Sequence, residues 1–99
     1  MKINKTQNGS ELTAALEGRL DTTTAPELET ALGGMEGVTA LVIDMAKLDY
    51  ISSAGLRVLL AAQKKLERNG GGMTVIGVNN EIREIFEVTG FDEILTIKA

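Results

Sequence analysis

Apolar and polar positions along this chain repeat with two different periods, and the switches between them mark out its elements. From residue 12 the period is two: Leu12, Ala14 and Leu16 fall on one side and Thr13, Ala15 and Glu17 on the other, a half-buried strand. Asn8-Gly9 just before it tolerates the positive φ of a tight hairpin turn and pairs it with residues 2–7. That partner has Ile3 as its one large interior residue and carries Lys2 and Lys5, the marks of an edge strand. The period then lengthens. Leu28, Ala31, Leu32 and Met35 predict a helix opened by Thr24, with Glu27 in capping-box register and Pro26 in the first turn. Gly33-Gly34 and Gly37 close it.

Residues 38–43 form a continuous apolar run, which reads as a strand either buried on both faces or central in a sheet containing parallel pairs, and ending at Asp44. A loop over residues 45–53 follows. Leu56, Leu59, Leu60 and Leu66 mark the longest helix, with Gln63 its one polar break. Lys64, Lys65 and Arg68 suit its last turns, and Asn69-Gly70-Gly71-Gly72 stops it. That glycine run is not a phosphate loop, because it follows a helix and no Lys-Ser/Thr pair comes after it. Residues 73–78 are another apolar strand. Asn79 or Asn80 caps a short helix with Ile82, Ile85 and Phe86 inward, Gly90 closes it, and residues 94–97 are the last strand. The order β-β-α-β-α-β-α-β predicts an α/β fold, a mixed, mostly parallel five-stranded sheet with three crossover helices. Three helices are too few to cover both faces, so one face falls to the N-terminal strand and short side chains.

Composition narrows what such a fold can do. The 99 residues suffice for one small domain, residues 1–99, and 43% hydrophobic content argues against disorder. The net charge is −4 and no basic block is present, which argues against direct nucleic-acid binding. Cysteine and histidine are both absent, which excludes thiol chemistry and removes the commonest general base and metal ligand. One Tyr, two Phe and no Trp leave an aliphatic core and no stacking surface for bases or sugars. The start, Met1-Lys2-Ile3-Asn4-Lys5, lacks the apolar core of a signal peptide, and no run approaches a membrane span. A cytoplasmic protein without membrane contact is expected.

On sheets of this kind, sites gather at the carboxyl ends of the parallel strands. The loops there, residues 21–24, 45–53 and 78–80, bring Asp21, Asp44, Asp49, Ser52 and Ser53 toward one edge. The two serines stand at a helix start, whose free N–H groups and partial positive charge accept hydroxyls, carboxylates and phosphates. They are either a helix cap and its neighbour or a working site. Thr22-Thr23-Thr24 likewise reads as one cap with two solvated residues, or as a hydroxyl-rich site. A serine nucleophile has no Ser-x-x-Lys partner and no Gly-x-Ser-x-Gly elbow at this loop. Asp21 and Asp44 offer a carboxylate pair for glycosidic chemistry or Mg²⁺, though each also suits bonding within its own loop.

The stretch Val42-Ile43-Asp44, then Leu48-Asp49-Tyr50-Ile51-Ser52-Ser53-Ala54-Gly55-Leu56-Arg57-Val58-Leu59-Leu60, resembles the anti-sigma-factor antagonist (anti-anti-sigma) family, whose fold is the STAS domain. The resemblance extends to Leu16-Glu17-Gly18-Arg19-Leu20-Asp21, Gly70-Gly71-Gly72-Met73 and Phe86-Glu87-Val88-Thr89-Gly90-Phe91, and so covers nearly the whole chain. It implies a regulator of transcription that is no enzyme and needs no cofactor or metal. In the family, a serine two residues before the glycine is phosphorylated by a partner anti-sigma factor that is also a serine kinase. That position is Ser53; Ser52 is the second choice, standing where many members have Asp. The unphosphorylated form binds the anti-sigma factor and frees the sigma factor, the phosphorylated form lets go, and a serine/threonine phosphatase resets the switch. The resemblance places Asp21 in the partner-binding region, and Thr22, Thr23, Asp49, Ser52, Ser53 and Arg57 complete the expected partner-binding set. The alternative is a non-phosphorylated STAS subunit of a transporter or other assembly. Members often end in a further helix that this sequence does not contain, which implies either an exposed sheet face or edge or a shortened chain.

Overall fold

A computed structural model of the chain describes residues 1–98. The elements are β1 (Lys2–Asn8), β2 (Glu11–Leu20), α1 (Ala25–Ala31), β3 (Ala40–Ile51), α2 (Ser53–Arg68), β4 (Gly72–Ile76), α3 (Asn80–Thr89), α4 (Phe91–Ile94) and β5 (Thr96–Ile97). The strands lie in sequential order in one five-stranded sheet. β1 and β2 form the antiparallel hairpin; every later pair is parallel and reached through a helical crossover. The mixed, mostly parallel sheet is therefore the expected one. A fourth helix is added. Gly90, at φ 79°, ends α3 and turns the chain straight into the short α4, so the last strand shrinks to Thr96–Ile97.

Burial alternates along the strands, so only one face of the sheet is covered. Leu12, Ala14 and Leu16 of β2, Leu41 and Ile43 of β3, and Met73 and Val75 of β4 are buried. They share a single core with Leu28 of α1, Leu56, Leu59 and Leu66 of α2, and Ile82 and Phe86 of α3. Each Leu, Ile, Val, Met or Phe among them, fully buried, contributes about 1.5–3 kcal/mol. Of the two readings of the run 38–43, the central strand among parallel pairs holds: β3 lies between β2 and β4, while Val42 is half-buried, with Thr13, Ala15, Asp44, Thr74 and Ile76. Those side chains form the uncovered face that the helix count predicts, whereas β1 lies at the sheet edge, paired with β2, and does not cover that face. Gln63, the polar break in α2, is buried and donates from Nε2 to the Ile94 carbonyl at 2.7 Å, tying α2 to α4.

β3 continues seven residues past Asp44, through the stretch expected as loop. Two register shifts against β2 make this possible. At the first, Asp44 Oδ1 accepts the Ala46 N–H at 2.9 Å. At the second, Gly18 pairs with Leu48 and Arg19 with Tyr50, which leaves Asp49 as the extra residue. Buried positions accordingly shift from 41, 43 and 45 to 48 and 51, which breaks the period a strand would show. Among the described residues, no helix is long and apolar enough to cross a membrane.

Candidate functional site

β2 and β3 end side by side, and the Ser52 N–H donates to the Leu20 carbonyl at 2.9 Å. Asp21 follows Leu20 and Ser53 follows Ser52 where the two strands end. Ser52 has extended backbone and is the N-cap of α2, and its Oγ accepts the Gly55 N–H at 3.5 Å. Its carbonyl accepts the Leu56 N–H at 3.0 Å, the first bond of the helix. Ser53 is the first helical residue and is exposed. Its hydroxyl makes no hydrogen bond with another described residue. No acidic side chain stands in this first turn, so its partial positive charge is not neutralised from within the helix. Arg57 follows one turn later, also exposed and on the same helix face. Gly55 is buried against Leu20 and Ile51, which seats the turn on the strand ends.

Asp21 organises the neighbouring loop. Its Oδ1 accepts the Thr23 hydroxyl at 2.7 Å, the Thr23 N–H at 3.0 Å and the Thr24 N–H at 3.1 Å. The Thr23 hydroxyl is the main reason that the Asp21 carboxyl titrates below its ordinary value, with backbone N–H groups of Thr24 and Thr23 adding to it against partial desolvation. Thr24 is not the capping-box residue expected. It is helical in backbone and makes no side-chain cap bond, because its hydroxyl accepts the Asp21 N–H at 2.8 Å and donates to the Arg19 carbonyl at 2.7 Å. Asp21 caps the turn instead. Thr22 and Thr23 are exposed, and Thr22 joins Ala54 and Arg57 along an open groove of about 530 Å³ between α1 and α2.

Asp21, Thr22, Thr23, Ser52, Ser53 and Arg57 therefore come together. Asp49 is exposed on β3, three residues before Ser52. Asp44 does not join them. It pairs with Ala15, six residues before Asp21 on β2, a separation of about 20 Å along a strand. The carboxylate pair considered for glycosidic chemistry or Mg²⁺ is not assembled. Among the described residues, no group of three or more side chains is placed to hold a metal.

Two residues outside the expected set adjoin the site. The Arg19 guanidinium lies 4.4 Å from the centre of the Tyr50 ring, and its Nε is 4.0 Å from Asp21 Oδ2. The bulge at Asp49 brings this pair into register, and periodicity carries no sign of a bulge.

Comparison with known proteins finds that the sequence profile of the STAS domain matches residues 2–99. The chain is 35% identical over 99 residues to BtrV of Bordetella bronchiseptica, assigned as an anti-sigma factor antagonist; the match covers 98% of this chain and 85% of that protein. A solved anti-sigma factor antagonist from Mycobacterium paratuberculosis is similar with a TM-score of 0.85 and 28% identity, over 97% of this chain and 83% of that one. Bacillus SpoIIAA, solved in its phosphorylated form, shares the fold with a TM-score of 0.77 at 16% identity, over 99% of this chain and 92% of that one.

Proposed function

We propose a partner-switching role for this chain, which belongs to the anti-sigma factor antagonist family of STAS domains. Acting as a single domain in the cytoplasm and without catalysis of its own, it binds an anti-sigma factor and so releases a sigma factor. The anti-sigma factor is also a serine kinase. It phosphorylates Ser53, which ends the complex, and a serine/threonine phosphatase restores the binding form. Asp21, Thr22, Thr23, Asp49, Ser52, Ser53 and Arg57 form the contact surface.

The observation that carries this reading is the difference between the two serines. The Ser52 oxygen is occupied at the cap, whereas Ser53 is exposed and its hydroxyl has no hydrogen-bond partner among the described residues. A phosphate there adds about −1.5 to −2 charges. The chain can accept that group at a helix start with no acidic neighbour in the turn and Arg57 one turn on. A partner that desolvates the same spot, beside Asp21 and Asp49, meets like charge and an unpaired buried anion. A loss of about 3 kcal/mol weakens binding more than a hundredfold. The switch rests on that asymmetry.

The test is incubation with the cognate anti-sigma factor kinase and ATP, followed by mass spectrometry of the loop peptides. Phosphate on Ser53, lost in Ser53→Ala and kept in Ser52→Ala, is expected. Phosphate on neither serine sinks the switch.

A further inference from the structure

We propose that Arg19, held by Tyr50, is the residue with which this chain selects its partner, receiving an acidic side chain of the anti-sigma factor. The inference rests on the partner-binding reading above and names a contact within it.

The Arg19 side chain is 62% exposed, yet it is held from two sides. Arg19 Cζ lies over the Tyr50 ring, 4.4 Å from its centre, and Asp21 Oδ2 stands 4.0 Å from Nε. Exposed contacts of either kind add little to folding stability, and ordering a long side chain opposes what they add. Their effect is orientation. A guanidinium fixed before the partner arrives spares the complex the cost of ordering it.

The rest of the group is free to bind. Neither terminal nitrogen of Arg19 has a hydrogen-bond partner among the described residues, and a planar guanidinium edge matches a carboxylate with two parallel bonds. The place is also right. Leu20, next in the chain, accepts the Ser52 N–H, and Tyr50 is two residues before Ser52, so the pair lies beside the proposed contact surface. Tyr50 is 37% exposed, and Tyr with Arg is a combination enriched where binding energy concentrates. The occupant is a single carboxylate rather than a phosphate. Asp21 already lies against Arg19, so a monoanion lets one cation bridge two carboxylates, whereas a dianion adds repulsion from Asp21. A partner with a basic residue at that point meets like charge and is rejected.

The experiment measures association and dissociation rates of the full chain with its anti-sigma factor at two salt concentrations. Arg19→Glu is expected to weaken binding at least about tenfold, chiefly through a slower on-rate at low salt. Tyr50→Phe keeps the ring and stays near wild type; Tyr50→Ala weakens binding although Arg19 remains. Circular dichroism of each variant separates misfolding from lost contact. Reversing the facing acidic residue of the partner to Lys rescues Arg19→Glu. Folded Arg19→Glu and Tyr50→Ala that bind within about twofold of wild type overturn this proposal alone. Wild type that binds no anti-sigma factor overturns the underlying reading and this proposal with it.

Discussion

A methyl group on Gly55 would stand 2.6 Å from Leu20 Cγ and 3.0 Å from Ile51 Cγ1. The first turn of α2 thus rests directly on the ends of β2 and β3, and this contact holds Ser52 and Ser53 where the two strands finish. Alanine at 55 gains up to about 1 kcal/mol of helix propensity. Against this, Leu20 and Ile51 are fully buried, and the nearest atom is a branch carbon rather than a movable tip. Overpacking of that kind costs about 1–3 kcal/mol. Gly55→Ala is expected to lower stability by about 1 kcal/mol net, read as a lower urea midpoint at unchanged slope. A midpoint above wild type would show that the turn can lift without loss.

The two serines should separate in a double test. Ser52→Ala removes a cap, and at 3.5 Å that bond is long, so the cost should fall at the low end, about 0.5–1 kcal/mol. Ser53→Ala removes no internal bond and should stay within about 0.5 kcal/mol of wild type. Ser53→Asp places a negative charge on the helix N-terminus, which the fold favours, and should weaken partner binding while the domain stays folded. Unfolding of Ser53→Asp would mean that Ser53 serves the cap after all.

The element order apart from α4, and the helix start at the two serines, were legible because they rest on local signals. Period-two alternation marked β2, and the 3–4 spacing of Leu56, Leu59 and Leu66 marked α2. What stayed hidden depends on pairing. A strand that absorbs Ala46 and Asp49 as extra residues loses its period, so residues 45–51 looked like loop. For the same reason the stacking of Arg19 on Tyr50 had no signature. Thr24 carried a sound capping-box signal, but the turn begins earlier. Asp21 accepts the Thr23 and Thr24 N–H groups, the Thr24 hydroxyl is taken up by the Asp21 N–H and the Arg19 carbonyl, and the Glu27 N–H bonds the Thr24 carbonyl instead.

Asp21 makes the loop pH-sensitive. Its folded-state pKa lies below the ordinary 3.8, chiefly through the Thr23 hydroxyl. A depressed carboxyl favours the folded state above its unfolded pKa and loses that contribution as pH falls through the folded value. Stability should therefore be level from neutral pH to about 4 as far as Asp21 is concerned, and decline below that. Asp21→Asn should remove this part of the acid limb, and Thr23→Ala should shrink it. Thermal melts from pH 2 to 7 check both. An acid limb unchanged in Asp21→Asn would assign the decline to other carboxylates.

Gln63 carries the last prediction. Its amide donates to the Ile94 carbonyl at 2.7 Å, and Ile94 closes α4 directly before Leu95 and β5. Leucine at 63 keeps the volume and suits the apolar surroundings, which offsets part of the loss. The Ile94 carbonyl is left without its donor, at a cost of about 1–3 kcal/mol where water cannot replace it. Part-burial of this bond places the expected net loss for Gln63→Leu near 1 kcal/mol. The loss should be local. Hydrogen exchange should quicken at Leu95, whose N–H is held by Phe91, and at Lys98, whose N–H is held by Val75. Leu56, at the far end of α2, should exchange as in wild type, and partner binding should be unchanged. If Leu56 quickens equally, α4 and the serine site open as one unit, and the C-terminal segment becomes part of the switch.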